Sequence, residues 1–284
     1  MRVIAEEVLG REKAREVWKS LEIVGDIAVM KKPFSSNLTL EDFRAVAEEL
    51  MKRIPYVKSV WLAVSPTEPP FKTRRLIHLA GEPKTVTYYK EHGCVFKVDV
   101  AKVFITPRLS YEHLRVAKLV KSGEIVVNMF AGVGTFSIII AKRSDVKLVH
   151  SIDINEHAYQ LMLENIALNK VADRVIAHLG DAAKVVEEKL IGVANRVLMP
   201  LPDLALEYTP YALKALKEER GWMHFYLHLL MDKEKKFLKE AERMVSQRLE
   251  ELGWKTISLS SRPVRKVGPK RVQVVVDAEV EHRA

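Results

Sequence analysis

The sequence predicts a doubly wound α/β domain of seven strands, preceded by a smaller α+β domain. Three observations predict it. Strand and helix patterns alternate from about residue 95 onward, a Gly-rich turn follows an early strand of that series, and two consecutive strands close the chain. The 284 residues suit one large or two ordinary domains. An apolar content of 48% supplies a proper core and excludes long disorder.

Residues 1–94 form the expected first domain. REKAREVWKSL and TLEDFRAVAEELMKRI have helical periodicity, and Thr39 is a candidate N-cap ahead of Glu41 and Asp42. GDIAVMKK and SVWLAVS read as short strands, and SPTEPPFKTRR as a Pro-rich, then basic, loop.

Residues 95–284 form the second domain. VFKVDVAKVFI alternates as a strand does. Pro107 then opens a helix, PRLSYEHLRVAKLVKSG, which Gly123 stops. The strands EIVVNMF, KLVHSID, DRVIAHLGD, NRVLM and GWMHFYLHL follow. Between them lie the helices FSIIIAKR, NEHAYQLMLENIALNK, AAKVVEEKL and LALEYTPYALKAL. After the helix KEKKFLKEAERMVSQRLEELG come WKTISLS and RVQVVVDAEV, an antiparallel pair. Five alternating strands and that pair make seven.

The net charge is +9, and residues 51–150 alone carry +10. Such concentration points to an anionic partner, nucleic acid first, or to a solvated Lys-rich surface. No apolar run is long enough for a transmembrane helix, and acids stand where a signal peptide needs an apolar run. A single cysteine, Cys94, excludes an internal disulfide framework and a cysteine-based zinc site. A cytoplasmic monomer, without membrane or metal, is expected.

The turn Ala131-Gly132-Val133-Gly134-Thr135-Phe136 lets backbone approach a bound ligand closely. Asp153 ends the next strand, where a carboxylate accepts from ribose hydroxyls, and Asp181 ends the third, beside an adenine edge. The dinucleotide pattern G-x-G-x-x-G fails at Ser137, and no G-K-[ST] of a phosphate loop follows. With the closing antiparallel pair, the pattern resembles the Rossmann-like, S-adenosylmethionine-dependent methyltransferase class. Asp153 and Asp181 could otherwise be plain strand-end caps.

More specific blocks follow. Phe104-Ile105-Thr106-Pro107-Arg108-Leu109-Ser110-Tyr111-Glu112, Asn128-Met129-Phe130-Ala131-Gly132-Val133-Gly134, Ser151-Ile152-Asp153-Ile154-Asn155 and Met199-Pro200-Leu201-Pro202 stand in order along the chain. Together they resemble the archaeal–eukaryotic tRNA guanine-37 N1-methyltransferase family over roughly residues 71–284. The resemblance implies S-adenosyl-L-methionine as cofactor and a tRNA anticodon stem-loop as partner. It implies cofactor contacts from Phe104, Arg108, Asn128, Phe130, Gly132, Gly134, Asp153, Ile154, Asp181 and Ala182. It makes Glu112 the general base that removes the guanine N1 proton, with Arg108 orienting Glu112 or touching phosphate. Lys72, with Arg74 or Arg75 nearby, would stabilise charge on O6, and Pro200 and Pro202 shape the base-holding loop.

The departures are informative. The family's Asp at 128 is Asn, its catalytic Arg is Lys72, and its Asn in M-N-L-P is Pro200. Losing that amide removes donors that read a base edge. The resulting pocket suits the tricyclic guanosine derivative of wyosine synthesis, methylated at C7 by an archaeal subgroup of the family. A tRNA-binding module with weakened catalysis is the other reading of the same departures. Methylation of rRNA or protein is disfavoured, since no N-P-P-Y follows the fourth strand.

Overall fold

The computed structural model describes every residue except 18–20, 34, 67–72, 233, 235, 269 and 284, and the side chain of Glu219. The chain divides into two compact units, Met1–Pro107 and Arg108–Ala284.

The first unit contains α1 (Arg2–Ala14), β1 (Glu22–Val24), β2 (Ile27–Lys31), α2 (Leu40–Arg53), β3 (Ser59–Ala63), β4 (Leu76–Gly81), β5 (Val86–Glu91) and β6 (Cys94–Asp99). Strands β1 to β4 form one sheet in sequence order, and β5 and β6 form a separate hairpin. Thr39 caps α2 as expected, and Asp42 completes a capping box. Phe43, Val46, Ala47 and Leu50 line one face of α2 at helical spacing and share a core with Val60 and Leu62 of β3.

Three expectations move. The helix expected over 11–21 ends at Ala14 and extends back to Arg2 through a kink at Gly10, with Ile4, Ala5 and Ala14 on its buried side; residues 18–20 of the expected span lie outside the described residues. The domain break expected after residue 94 falls inside the β5–β6 hairpin, where Glu91 pairs with Cys94. The strand expected to run to Ile105 stops at Asp99. The Asp99 carboxylate accepts from Ala101 N–H at 3.1 Å, and its carbonyl accepts from Lys102 and Val103, so the chain turns.

The second unit contains α3 (Ser110–Leu119), β7 (Ile125–Asn128), α4 (Thr135–Arg143), β8 (Leu148–Asp153), α5 (Glu156–Leu168), β9 (Val175–Leu179), α6 (Ala182–Lys189), β10 (Arg196–Met199), α7 (Thr209–Ala215), β11 (Arg220–Leu230), α8 (Lys236–Glu251), β12 (Trp254–Lys266) and β13 (Arg271–His282). Its seven strands run β12-β13-β11-β10-β7-β8-β9. All pairs are parallel except those of β13, which runs antiparallel to both β11 and β12. With a neighbour on each side, β13 is buried from Val272 to Ala278. Phe237, Ala241, Val245 and Leu249 repeat every four residues and turn one side of α8 into the core.

The topology fixes where a ligand can enter. From β7 the chain proceeds outward to β8 and β9, while β10 and β11 build the other side. Strands β7 and β10 are adjacent, so the strand order reverses between them. The crevice at such a switch point lies outside the carboxyl ends of the strands. Pro107–Leu109 is a single 3-10 turn, and α3 starts only at Ser110. Arg108 is therefore exposed while Glu112 is buried, and the two do not share a helical face. Among the described residues, no helix is long and apolar enough to cross a membrane.

Candidate active site

The Gly-rich turn sits at the carboxyl end of β7. Asn128, fully buried, donates from Nδ2 to Ser137 Oγ at 3.1 Å and accepts from Phe130 N–H at 3.4 Å. It fixes the turn from within and has no surface to offer a ligand, which alters the cofactor contact expected of it. Gly132 has φ +57°, and a Cβ placed there would meet nothing within 4 Å. Gly134 has φ +89°, and a Cβ there would lie 3.1 Å from Ile138 and Met162. Gly132 thus guards open space and Gly134 guards packing, and both need a left-handed backbone.

Asp153 reaches this turn from the end of β8. Its Oδ2 accepts from Gly132 N–H at 2.6 Å and its Oδ1 from Asn155 N–H at 2.9 Å. Burial raises its pKa against the pull of those two bonds. Each oxygen keeps a lone-pair site for a ribose hydroxyl. The open space at Gly132 and this acceptor pair fit a nucleoside cofactor. Ile154, next along the chain, is 56% exposed, a large apolar surface at a strand end.

Asp181 caps α6 by accepting from Ala183 and Lys184 N–H. Its Oδ2 also accepts from Tyr208 Oη at 2.6 Å. Tyr208 packs edge-on against Phe130 at 5.2 Å between centroids. Phe130, Asp181 and Tyr208 are thereby joined across the ends of β7, β9 and β10. Nothing in the sequence marks the Tyr208 hydroxyl for this bond to Asp181. Ala182 is buried behind Asp181.

The Glu112 side chain is buried, 2% exposed. Arg115 grips it with two bonds, Nε to Oε2 at 2.9 Å and Nη2 to Oε1 at 2.7 Å. Tyr226 Oη donates to Oε1 at 2.7 Å, and Arg262 Nη1 donates to Oε2 at 2.9 Å. The orienting cations are Arg115 and Arg262, in place of the expected Arg108. Arg115 also binds Asp277 twice, at 2.6 and 3.1 Å. Asp277 accepts from His224 Nδ1, whose Nε2 accepts from Arg196 at 2.8 Å. Arg196 in turn grips Glu124 with two bonds. Burial lowers the pKa of His224, so the ring is neutral and its tautomer is set by these two partners. Burial opposes ionisation of Asp277, but His224 and Arg115 outweigh it and hold this carboxyl well below the usual range.

Pro200 and Pro202 follow β10 directly, at the switch point. The loop folds back on itself, with Leu204 and Ala205 N–H both donating to the Leu201 carbonyl at 3.0 Å. In the first unit, Arg74 donates to Glu22 at 3.3 Å, and Lys31 lies 3.4 Å from the same carboxylate. Phe104 lines a small cleft there with Thr73, Arg74 and Val103. Lys72 lies outside the described residues.

Tyr226, Arg262, Asp277 and His224 carry no sequence signal. Tyr226, Asp277 and His224 sit in strands that read as ordinary alternation, Arg262 lies beyond the strand expected over WKTISLS, and only the sheet order brings them to Glu112.

A seven-stranded sheet with β13 antiparallel and a Gly-rich turn after β7 is the fold of S-adenosylmethionine-dependent methyltransferases. A family model described as the TRM5/TYW2 methyltransferase domain matches residues 87–256. The chain belongs to this family. It is 40% identical over 93% of its length to the tRNA 4-demethylwyosine(37)-methyltransferase Taw21 of Saccharolobus solfataricus, covering 94% of that protein. It is 35% identical over 95% of its length to the tRNA (guanine(37)-N(1))-methyltransferase Trm5b of Pyrococcus abyssi, covering 77% of it. The crystal structure of Methanocaldococcus jannaschii TYW2 in complex with AdoMet superposes with TM-score 0.70 at 29% identity, covering 93% of this chain and all of that one.

Proposed function

We propose that the chain is a tRNA methyltransferase that uses S-adenosylmethionine to methylate C7 of 4-demethylwyosine at position 37. Pro200 carries this reading. The family's Asn at this place offers an amide to the base edge, whereas proline offers no side-chain donor. The third ring of the tricyclic base is built across the N1–N2 edge of guanine, so an amide reading that edge has no counterpart. The similarity to Taw21 over nearly the whole of both chains supports the same substrate. Methylation of guanine N1 is the second reading, favoured by Glu112 within the P-R-L-x-x-E block.

Bound S-adenosylmethionine would supply an electrophilic methyl group on sulfonium. Asp153 and the Gly132 turn would hold its ribose, and Asp181, Ile154, Phe130 and Ala182 would bound the adenine end. Either reaction requires one proton to leave the atom that gains the methyl, C7 or N1. Glu112 accepts that proton, a step worth roughly 10²–10⁴-fold in rate. Its four donors fill the carboxylate, so one must withdraw before Glu112 can do so. A cation at the Lys72 position, assigned by the family resemblance, would stabilise charge that develops on the base oxygen, and Arg108, exposed, meets backbone phosphate. A flexible loop base leaves its stack more readily than one in a duplex.

Two tRNAs, one with guanosine and one with 4-demethylwyosine at position 37, test the assignment. The tricyclic substrate is expected to have the larger kcat/KM, and Pro200→Asn to shift preference toward guanosine. Preference for guanosine in the unaltered protein would overturn the C7 reading and leave the N1 reading standing.

A further inference from the structure

Arg262 has no part in the site as the sequence frames it, yet it reaches the carboxylate of Glu112. We propose that Arg262 is a latch on Glu112, a positioning residue that holds the carboxylate in the free protein and withdraws to RNA phosphate when tRNA binds. Resting on Glu112 as the base, the proposal explains how a fully engaged carboxylate becomes available.

The four bonds to Glu112 are not equivalent. Arg115 is pinned from behind by Asp277, and Asp277 by His224, Arg196 and Glu124. Tyr226 is fully buried on β11. Neither can leave without exposing buried polar groups, which costs heavily. Arg262 stands on β12 at the rim of the sheet, with its side chain one-third exposed. It gives Glu112 one bond. Its guanidinium also lies over the ring of Tyr111, 5.1 Å from the centroid, and Tyr111 is 69% exposed. That ring offers the guanidinium a second seat facing solvent.

The charges balance only while the latch is closed. Glu124, Asp277 and Glu112 stand against Arg196, Arg115 and Arg262, with His224 neutral between them. Withdrawal of Arg262 leaves one carboxylate charge uncompensated inside the unit. Withdrawal also frees a lone-pair site on Glu112 Oε2 that a proton can take. An Arg that exchanges a carboxylate for phosphate keeps its preferred fork geometry.

The test is carboxyl carbon-13 NMR of the free protein, with Glu112→Gln assigning the signal. At one fixed pH the Glu112 carboxyl resonance is expected to shift in Arg262→Gln, and Arg262→Lys to restore most of its position. Adding unmodified tRNA to the unaltered protein is expected to shift it the same way. A resonance unchanged in Arg262→Gln, or unchanged by tRNA, overturns the latch. Thermal melting checks that each variant is folded. Methyl transfer by Glu112→Gln is read separately. Retained transfer there refutes Glu112 as the base, while the carboxyl resonance still decides whether Arg262 holds it.

Discussion

Asp153→Asn separates a cofactor ligand from a strand-end cap. In the folded protein the carboxylate accepts from Gly132 N–H at 2.6 Å and Asn155 N–H at 2.9 Å. An amide can accept only one of these and turns a donor against the other. Losing a hydrogen bond to a charged group costs about 1.5–3 kcal/mol. The loss is offset because burial already disfavours the charged form, as its raised pKa records. The net stability cost is then about 1 kcal/mol, or about 2–4 °C in Tm for a unit of this size. The cofactor loses more. On the ribose assignment, two hydroxyls that would donate to the carboxylate instead meet one neutral acceptor and one donor, a loss of about 2–4 kcal/mol, or about 30- to 1000-fold in Kd. Isothermal titration calorimetry with S-adenosylmethionine measures the affinity, and differential scanning calorimetry the stability. An affinity within threefold of the parent, alongside the expected fall in Tm, would reduce Asp153 to a cap and refute the ribose assignment.

Other expectations follow from the same geometry. Gly132→Ala places a methyl in open space at φ +57°, so stability should fall by about 1 kcal/mol while cofactor affinity falls by more than tenfold on titration. Arg196→Met leaves Glu124 buried without its partner, and chemical denaturation should show a loss of about 3–5 kcal/mol. His224 and Asp277 both have depressed pKa values. The unfolded chain therefore takes up protons first, and stability is lost as pH falls, from near 6.5 for His224 and again below about 4 for Asp277. Melting temperatures from pH 8 to 3 check this, and a flat profile would contradict it. Affinity for tRNA should fall steeply between 50 and 200 mM salt, as phosphate contacts release counterions, and filter binding would reveal a flat dependence if the basic segments are mere solvated surface.

The second unit was legible because alternating periodicity, the Gly-rich turn and acids at strand ends are local signals. The seven strands are all where their patterns lie. The first unit was less so. Strands β1, β4 and β5 are short or half exposed and lack a clean alternation, while the apolar run before Ile105 conceals an Asx turn at Asp99. At the site, Asp153 and Asp181 were marked by position, and Glu112 by its motif block. Apart from Arg115, three residues from Glu112 on the same helix, the network was invisible, because Tyr226, Arg262 and Asp277 come to Glu112 only through the order β12-β13-β11. Asn128 shows the opposite case. Its motif suggested a ligand contact, and burial makes it a support for the turn.

Nucleoside mass spectrometry tests methyl transfer to the tricyclic base at tRNA position 37 most directly, on tRNA bearing 4-demethylwyosine treated with the protein and methyl-labelled S-adenosylmethionine. One labelled methyl on C7 of the tricyclic base at position 37, absent with Glu112→Gln, is the predicted result. Label found only in N1-methylguanosine, or no label in tRNA at all, would contradict it.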